Sequence, residues 1–505
     1  GNFLEMNVIV KKNLSVLIQG FSTNDVKGTL NREISSITFD SRKAKKESLF
    51  VAVPGFKENG FKFINDSISQ GASAFITEES IEGLSNVGLD QNNVTAICVK
   101  DCRKALAWIG SKFYDQPSSR IDLFGVTGTN GKTTTTYILD SIYKAQKKIS
   151  GIIGTIHYGY AGTKHAAPIT TPESLDINRM LCEMTEQKIS QCFLEVSSHS
   201  LSLKRVHGMQ FSVGIFTNLS RDHLDFHKTM DNYKEAKKGL FRDNFVEKAV
   251  TNIDDPVGLE IANEFRGDLL TTSIDRIADV VAENYKLSES GSSFTLKTPF
   301  GSCEIRTRLL GRHNIYNLIS AASAALINGV ALNDIEEGLN SIDQIPGRFE
   351  KVPCDKGFSV IVDYAHTDDA LRNVLRAAQA FTPGRIITVF GCGGDRDKGK
   401  RKAMGRVAIE ESGFSIITSD NPRTENPQYI LDDILEGVPS SMNHGEDYKI
   451  IIDRKEAIIF AINQARPGDL VMITGKGHEN YQIVKTGKVH FDDREIAEEA
   501  MRRMP

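Results

Sequence analysis

The feature that most constrains this chain is a glycine-rich turn that follows an apolar run and opens a helix. The apolar residues 121–126 lead into Gly-Val-Thr-Gly-Thr-Asn-Gly-Lys-Thr at 125–133, and residues 133–147 are helical in composition. Glycines let backbone N–H groups converge on an anion, and the new helix adds its positive N-terminal end. Val126 stands where the generic phosphate-loop pattern has its first glycine, so the motif is the variant G-x-x-G-x-N-G-K-T. It predicts binding of a nucleoside triphosphate, the alternative being a glycine turn without a ligand.

Length and composition indicate a multidomain globular protein. A chain of 505 residues suggests about three domains. The net charge of −4 argues against nucleic acid as the main partner. The most apolar stretch, 318–332, contains serines and an asparagine and predicts a buried helix, so we expect no membrane span. Seven scattered cysteines without C-x-x-C pairs indicate reduced thiols. Reduced thiols and the lack of a recognisable signal peptide favour a cytoplasmic protein.

Apolar strand-like runs alternate with helical stretches in two series, which predicts parallel sheets buried on both faces. Most of these strands end in polar clusters, and ligands of open α/β sheets bind beyond the carboxyl ends of strands. We therefore expect one active site between two domains, although any single cluster could be capping or turn chemistry. The predicted strands are 121–127, 192–196, 213–217, 249–253, 359–362, 385–390, 415–418 and 470–474.

Triphosphates are used with a divalent cation, and the strand ends offer ligands for one. Lys132 supplies charge for the outer phosphates, and the Thr133 hydroxyl can ligate Mg²⁺. Glu195 is a second candidate ligand of that ion. His223 is an unusual Mg²⁺ ligand and suggests a second metal site, although taken alone a histidine here favours a structural role.

At these residues the chain resembles the Mur ligases, which are ATP-dependent amide-bond-forming enzymes of bacterial peptidoglycan synthesis. The resemblance covers nearly the whole chain. It rests on the phosphate loop, Glu-Val-Ser-Ser-His at 195–199, Asp-His-Leu-Asp at 222–225, Tyr-x-x-Ala-Lys at 233–237, Asn-x-x-Asn at 314–317, Gly-Arg at 347–348, Asp-Tyr-Ala-His at 363–366 and Gly-Lys-Gly-His-Glu at 475–479.

The resemblance implies a fold of three α/β domains. These are an N-terminal UDP-binding domain at 1–103, a central ATP-binding domain with a parallel sheet at 104–346, and a Rossmann-like amino-acid-binding domain at 347–505. It also implies ATP, two Mg²⁺ ions and a carbamate on Lys237 formed from CO₂. An ordinary lysine with a pKa of about 10.4 cannot react with CO₂, so such a site must favour the neutral amine. Without the family pattern, Lys237 reads as a solvated helix lysine.

The resemblance also assigns binding residues. The nucleotide contacts it implies are Gly128, Thr129, Asn130, Gly131, Lys132, Thr133, Thr134, Asn314, Asn317, Arg348 and Asp363; Asn314 and Asp363 could instead be a helix cap and a strand-end turn residue. The residues implied to be catalytic are Lys132, Glu195, His223 and Lys237. The metal ligands implied are Thr133, Glu195, His223 and carbamylated Lys237.

Within the family, the N-terminal segment is similar to that of the enzymes that add the third amino acid. The implied acceptor is UDP-N-acetylmuramoyl-L-alanyl-D-glutamate, whose contacts would be Phe39, Ser41, Thr170, Thr171, Ser197 and Arg205. Departures from the family pattern put individual UDP contacts in question; they occur at Phe56, Lys57, Leu203 and Asp368.

The motif Asp-Asn-Pro-Arg at 420–423 is, in this family, the pattern of enzymes that add meso-diaminopimelate, whereas lysine-adding relatives lack the arginine. Diaminopimelate has one carboxylate more than lysine, and guanidinium binds carboxylate bidentately. As a bare tetrapeptide the motif would indicate a turn. The amino-acid pocket implied by the resemblance consists of Arg396, Asp420, Asn421, Pro422, Arg423, Gly475 and Glu479.

The reaction implied is transfer of the ATP γ-phosphoryl group to the D-glutamyl carboxylate, followed by amine attack on the acyl phosphate. We expect a monomer that acts on small molecules, without a nucleic acid or membrane partner. Three alternatives are an L-lysine-adding homologue, a folylpolyglutamate synthetase, and a nucleotide-binding regulatory module that does not ligate.

Overall fold

The computed structural model describes residues 11–55, 59–80, 93–160, 162–243, 245–288 and 290–504. The sequence departures at Phe56 and Lys57 lie outside these residues. The described residues form two compact units. The first unit contains those within 1–127, 148–214 and 236–249. The second contains those within 128–147, 215–235 and 250–505.

The N-terminal segment of the first unit contains a small five-stranded β-sheet with the strand order β2-β7-β6-β5-β4. Strand β2 is antiparallel to β7, and the other neighbours are parallel. Helices α1 and α3 pack on one face of the sheet, where Leu17, Ile76 and Leu106 are buried. The elements are β1 (Lys12–Asn13), α1 (Leu14–Ile18), β2 (Asp25–Lys27), β3 (Glu33–Ile34), β4 (Ser36–Thr38), β5 (Ser48–Val51), α2 (Ile64–Ser69), β6 (Ala72–Thr77), β7 (Thr95–Cys98) and α3 (Cys102–Phe113).

The central part of the chain alternates strands and helices as the apolar pattern predicts. Its elements are β8 (Asp122–Thr127), α4 (Lys132–Ala145), β9 (Gly151–Ile153), β10 (His157–Tyr160), β11 (Thr163–Ala166), α5 (Ser174–Glu186), β12 (Gln191–Glu195), α6 (Ser198–Ser202), β13 (Gln210–Phe216), α7 (Leu224–His227), α8 (Met230–Asp243), β14 (Phe245–Asn252), α9 (Pro256–Glu264), β15 (Asp268–Ser273), β16 (Val280–Ser288), β17 (Gly291–Thr298), β18 (Gly301–Thr307), α10 (Arg312–Ile327) and α11 (Leu332–Ser341).

In the first unit these strands follow the order β11-β10-β9-β12-β8-β13, and β12 is parallel to both β8 and β9. In the second unit β15 is parallel to β16, and β16, β17 and β18 form an antiparallel meander. The predicted helix at 318–332 is displaced towards the N-terminus. Helix α10 ends at Ile327, before Gly329 with a φ of 85°, and α11 begins at Leu332. A left-handed glycine just after a helix is a common stop signal.

The C-terminal part of the second unit is a six-stranded sheet with the order β19-β20-β24-β21-β22-β23. Only the edge strand β19 is antiparallel to its neighbour. Apolar helices cover both faces, as the continuous Val/Ile runs predict. The elements are β19 (Glu350–Val352), β20 (Ser359–Asp363), α12 (Asp368–Gln379), β21 (Ile386–Phe390), α13 (Gly399–Glu411), β22 (Phe414–Ile417), α14 (Pro427–Leu435), β23 (Tyr448–Ile450), α15 (Arg454–Gln464), β24 (Leu470–Thr474), β25 (Tyr481–Val484), β26 (Gly487–His490) and α16 (Asp493–Arg503).

Among the helices in the described ranges, none combines the length and the apolar character that crossing a membrane requires. All seven cysteines are free thiols.

Candidate active site

The glycine-rich turn joins β8 to α4, and two of its glycines have no room for a side chain. A Cβ on Gly131, whose φ is 90°, would come within 2.2 Å of Oδ1 of Asn317. A Cβ on Gly128 would come within 1.8 Å of Oγ1 of Thr217. In the described part of the chain no side chain caps α4. The first N–H groups of a helix have no intrahelical acceptor, so this uncapped end fits an anion such as phosphate.

The turn is held by the segment that follows β13, within the second unit. The N–H groups of Thr129 and Asn130 donate to the backbone carbonyl and to Oδ1 of Asn218, at 2.9 and 3.0 Å. Thr217 Oγ1 donates to the Asn130 carbonyl at 2.6 Å. The Thr129 hydroxyl also lies 3.0 Å from the hydroxyl of Tyr233 on α8. These bonds fix the shape of the turn before any ligand binds.

Two predicted nucleotide-binding side chains lie directly on this turn. Lys132 Nζ donates to the carbonyls of Gly128 and Thr129, at 2.8 and 2.9 Å. Thr133 Oγ1 accepts from Nη2 of Arg348 at 3.0 Å. Arg348 in turn stacks on the ring of Tyr364, 4.4 Å from its centroid. A cation at each side of the turn suits the binding of phosphate groups. The structure thus brings Lys132, Thr133 and Arg348 together at the turn, and their contacts with a nucleotide stay predictions.

Three further predicted nucleotide contacts, Asn314, Asn317 and Asp363, make hydrogen bonds within the protein. Asn314 Nδ2 donates to the Leu310 carbonyl at 2.8 Å, and Asn317 Nδ2 donates to Asn314 Oδ1 at 3.1 Å. Asp363 accepts from two backbone N–H groups, those of Phe349 and Ala365. Burial raises the pKa of Asp363, and the positive charge of Arg348 lowers it by a smaller amount. The bonds of Asp363 are those of a strand-end turn residue, whereas Asn314 lies inside α10, whose N-cap is Gly311. Contact of either residue with adenine or ribose stays a prediction.

Next to the predicted metal ligand His223 lies a buried carboxylate, Asp222. It is 4 % exposed, and its oxygens lie 3.4 Å from His223 Nε2, 3.7 Å from His366 Nε2 and 3.4 Å from Lys400 Nζ. Burial opposes ionisation, but the neighbouring groups His366, Lys400 and His223 outweigh it and hold the pKa of Asp222 well below its usual range. A carboxylate against one ring nitrogen orients an imidazole, as in metal sites. His223, with a φ of 55°, is held in a left-handed conformation beside it.

Lys400→Ala should destabilise the protein, because it removes the ammonium group that lies beside the buried Asp222 carboxylate. Breaking a buried ion pair typically costs about 3–5 kcal/mol, and we expect a value near 3 kcal/mol. Chemical denaturation checks this, with Lys402→Ala on the exposed face of the same helix as the control. Equal stability of the two variants would contradict a role for the pair.

Lys237 lies on α8 in the first unit and is 1 % exposed. The neighbouring Lys238 is 6 % exposed, so neither is the solvated surface lysine that the sequence alone suggests. Burial removes the hydration that stabilises an ammonium group. A buried position is compatible with the predicted carbamate on Lys237, which stays a prediction.

Glu195, at the end of β12, is buried at 1 % exposure in the first unit. Its carboxylate accepts from the N–H and the hydroxyl of Thr155, both at 2.9 Å. The Thr155 hydroxyl lies 3.1 Å from that of Thr170. The Thr171 hydroxyl donates to the Glu195 carbonyl and accepts from the Ser197 N–H. Four predicted site residues therefore lie in one hydrogen-bonded group, and Thr155, which sequence reasoning missed, connects two of them.

Arg205 belongs to the same unit and is held by Glu173. Its guanidinium lies 3.0 Å from Glu173 Oε1, and its Nη1 donates to the Thr171 carbonyl. Glu173 also pairs with Arg103, whose Nη2 donates to the Pro54 carbonyl. Phe39 and Ser41 are in this unit too, but no hydrogen bond between described residues joins them to this group. Phe39 is 37 % exposed and Ser41 is buried.

The predicted amino-acid pocket lies at the carboxyl edge of the C-terminal sheet, after β21, β22 and β24. Asn421 Nδ2 donates to Glu479 Oε2 at 2.9 Å. Lys476, which is fully buried, donates to both of these residues. A Cβ on Gly475 would come within 2.4 Å of Oδ2 of Asp420. Pro422 is buried beside them. The structure therefore joins the two predicted motifs, and it adds Lys476, which the sequence analysis did not single out.

Arg423 occupies the turn after β22 in a left-handed conformation, with a φ of 54°. Its Nη1 donates to the carbonyls of Gly394 and Asn421, at 2.8 and 3.4 Å. Within the described ranges its guanidinium bonds use Nη1 alone, so Nε and Nη2 form an edge that fits a carboxylate. Burial and the nearby charge of Arg396 lower the pKa of Arg423. The exposed Arg396 and the half-buried Arg423 thus make this a positive corner of the pocket.

Comparison with known proteins identifies the family. Three family models match this chain: "Mur ligase family, catalytic domain" at 33–114, "Mur ligase middle domain" at 126–325, and "Mur ligase, glutamate ligase domain" at 347–477. The chain therefore belongs to the Mur ligase family. This confirms the predicted three-domain α/β fold and the predicted class of enzyme, an ATP-dependent ligase that forms amide bonds.

Several relatives carry the name UDP-N-acetylmuramoyl-L-alanyl-D-glutamate–2,6-diaminopimelate ligase. One from Clostridioides difficile is 44 % identical over 97 % of this chain and 100 % of its own length. One from Bacillus cereus is 42 % identical over 93 % of this chain and 94 % of its own. A solved structure of a ligase of that name is 31 % identical with a TM-score of 0.68, covering 97 % of this chain and 99 % of the other. A MurF ligase from Thermotoga maritima in complex with ADP, 18 % identical with a TM-score of 0.60 and covering 93 % of this chain and 97 % of its own, shares the fold.

Proposed function

We propose that this chain uses ATP to join meso-2,6-diaminopimelate to UDP-N-acetylmuramoyl-L-alanyl-D-glutamate, a step in peptidoglycan precursor synthesis, as a cytoplasmic monomer. Family membership and the names of its relatives support the reaction. The observation that carries the choice of amino acid is Arg423, whose guanidinium has an edge open for a carboxylate beside Arg396 and Glu479. Diaminopimelate has carboxylates and ammonium groups at both ends, which matches a pocket with guanidinium groups and a carboxylate.

ATP would be held by the phosphate loop and by the C-terminal side chains that meet it. The uncapped start of α4 and the side chain of Lys132 would bind the phosphates. Arg348, which already lies within hydrogen-bonding distance of Thr133, would place a second cation beside the same phosphates. Asn314, Asn317 and Asp363 would line the adenosine end. A further link from the loop to the C-terminal part is the bond from Asn130 Nδ2 to Asp369 Oδ2, at 3.0 Å.

The family resemblance implies two Mg²⁺ ions, with Thr133, Glu195, His223 and carbamylated Lys237 as ligands. Hydroxyl and carboxylate oxygens are among the donors that Mg²⁺ prefers. Bound Mg²⁺ would neutralise the negative charge that otherwise keeps a carboxylate away from the γ-phosphate. The chain's own part is to hold Glu195 through Thr155 and to orient His223 through Asp222.

The reaction has two chemical steps. A D-glutamyl carboxylate oxygen attacks the γ-phosphorus of ATP, which forms an acyl phosphate and releases ADP. The amine of diaminopimelate then attacks the acyl carbon, and the tetrahedral intermediate collapses with loss of phosphate. Lys132 and Arg348 stabilise the charge that develops on the transferred group. Arg205 with Thr170, Thr171 and Ser197 would hold the acceptor peptide, and Phe39 with Ser41 its UDP end.

Purified protein tests this proposal directly. ADP release should require both the UDP-linked dipeptide and an amino acid, and mass spectrometry should detect the UDP-linked tripeptide. ADP release without an acceptor would instead indicate a non-ligating nucleotide-binding module. Ligation of glutamate to a folate would indicate a folylpolyglutamate synthetase, and equal use of lysine would indicate the lysine-adding homologue.

Arg423→Ala should remove most of the preference for meso-diaminopimelate over L-lysine. A hydrogen bond to a charged group contributes about 1.5–3 kcal/mol, so wild type should prefer diaminopimelate by at least about tenfold to a hundredfold in kcat/KM. The loss should come from slower diaminopimelate addition and not from fast lysine addition. Arg423→Lys keeps the charge without the planar fork and should recover only part of the preference. An unchanged ratio in Arg423→Ala would place specificity elsewhere.

A further inference from the structure

The position of Arg423 depends on a second loop, residues 393–396, which follows β21. A non-glycine residue with a positive φ is strained and persists only where its surroundings hold it. The N–H of Arg423 donates to the Ile483 carbonyl at 3.0 Å, and its Nη1 donates to the Gly394 carbonyl at 2.8 Å and, at 3.4 Å, to the Asn421 carbonyl. The shorter side-chain bond, to Gly394, fixes the direction of the guanidinium, so a displaced 393–396 loop would turn the carboxylate-binding edge away.

Two neighbouring side chains, Thr424 and Glu425, hold that loop. The Asp395 N–H donates to Glu425 Oε1. The Thr424 hydroxyl donates to the Asp395 carboxylate, at 2.8 and 2.9 Å from its two oxygens. Asp395 has a φ of 53° and so also requires support. Glu425 therefore lies two residues after Arg423 in the sequence, and it binds the 393–396 loop that also contacts Arg423.

Glu425 is itself fixed by Arg401 of α13, which is fully buried. The guanidinium meets both carboxylate oxygens, with Nη2–Oε1 at 2.8 Å and Nη1–Oε2 at 3.0 Å. The same Nη2 donates to the Gly393 carbonyl at 3.2 Å. The hydrogen bonds from Arg401 lower the pKa of Glu425 to about 2, so the carboxylate is ionised at any working pH. Arg401 thus contacts both the 393–396 loop and Glu425, the residue that binds this loop.

Arg401 has another acidic partner, Asp433 of α14, at 2.8 Å from Nη1. A carboxylate that served only to pair with Arg401 would affect stability without affecting the choice of amino acid. Glu425 differs from Asp433 because it alone also binds the 393–396 loop. The two acids therefore offer a matched comparison between stability and specificity.

We propose that Glu425, fixed by its ion pair with Arg401, is a positioning residue that holds the 393–396 loop in contact with Arg423. By fixing the position of Arg423, Glu425 sets the preference for an amino acid with a second carboxylate. The inference rests on the proposed function, in which Arg423 meets that carboxylate. Glu425 itself touches no substrate. It acts through Gly394 and Asp395, and its removal should raise the KM for diaminopimelate more than it lowers kcat.

The test compares Glu425→Gln, Glu425→Ala and Asp433→Asn with wild type, using the full chain. Steady-state kinetics give kcat and KM for meso-diaminopimelate and L-lysine, and KM for ATP and the UDP-linked dipeptide; thermal unfolding gives stability. Both Glu425 variants should lower the diaminopimelate-to-lysine ratio of kcat/KM by about tenfold or more, equivalent to about 1.4 kcal/mol, while KM for ATP stays within about twofold. Asp433→Asn should lose stability and keep the wild-type ratio.

The exposed Thr424 provides a further variant with little risk to folding. Thr424→Val removes the hydroxyl bonds to Asp395 and should lower the ratio by a smaller factor, about twofold to fivefold. Unchanged ratios in the Glu425 and Thr424 variants, beside a wild type that prefers diaminopimelate, would overturn this inference alone. An equal fall in Asp433→Asn would also overturn it. A wild type without any preference would overturn the proposed choice of amino acid, and this inference with it.

Discussion

Lys132→Ala is expected to reduce ligation by about 10²–10³ in kcat, the usual effect of removing one preorganised charge from a transition state. The Nζ of Lys132 already lies on the glycine turn, 2.8 and 2.9 Å from the carbonyls of Gly128 and Thr129. It is therefore in place before the triphosphate binds. Without it, one fewer cation opposes the charge of the transferred phosphoryl group.

The control is Lys144→Ala on the same helix, whose side chain is 69 % exposed and pairs with Asp140. It should keep the wild-type rate. Coupled measurement of ADP release gives both rates, and circular dichroism establishes that both variants fold. Near wild-type turnover in Lys132→Ala would contradict the assignment of the phosphate loop.

Lys237→Ala is expected to be nearly inactive, with a loss of about 10²-fold or more, because a correctly held metal ion contributes several kcal/mol to phosphoryl transfer. A short-chain carboxylic acid added to this variant should restore part of the activity by replacing the carbamate. In wild type, labelled bicarbonate should give a carbamate signal by carbon NMR that Lys237→Ala lacks.

Lys238→Ala is the matched control, since Lys238 is the next residue of the same helix and is also buried. It should retain the labelled carbamate and most of the activity. Full wild-type activity in CO₂-depleted buffer, or the same loss in both variants, would count against a carbamate on Lys237.

Local patterns were enough to predict the strands that carry the site. The predicted strand at 470–474 is β24, and the run at 121–127 differs from β8 by one residue. Such strands are apolar throughout because both faces of a parallel sheet are buried, which leaves a continuous signal in the sequence. The displaced α10 shows the limit of that signal, because composition did not reveal that Gly329 stops the helix.

Side chains that act through partners distant in sequence could not be predicted. Lys400 is 178 residues from Asp222, and Thr155 is 40 residues from Glu195. Lysines and threonines are usually exposed, so nothing in their own neighbourhood marks these two as partners of buried carboxylates. The pairing of Arg401 with Glu425 could not be predicted either, because the local sequence indicates only a charged helix around Arg401 and a turn around Glu425.

The sequence by itself determined the class of this protein, because a phosphate loop, strand-end clusters and Asp-Asn-Pro-Arg are contiguous motifs whose chemistry depends on neighbouring residues. The tertiary structure alone decided which charges are buried together. It places Lys237 out of solvent, sets Lys400 against Asp222 and holds Arg423 over the 393–396 loop. The physical reason is that burial and long-range pairing arise only when separate elements pack, and they determine which of several similar side chains is positioned for chemistry.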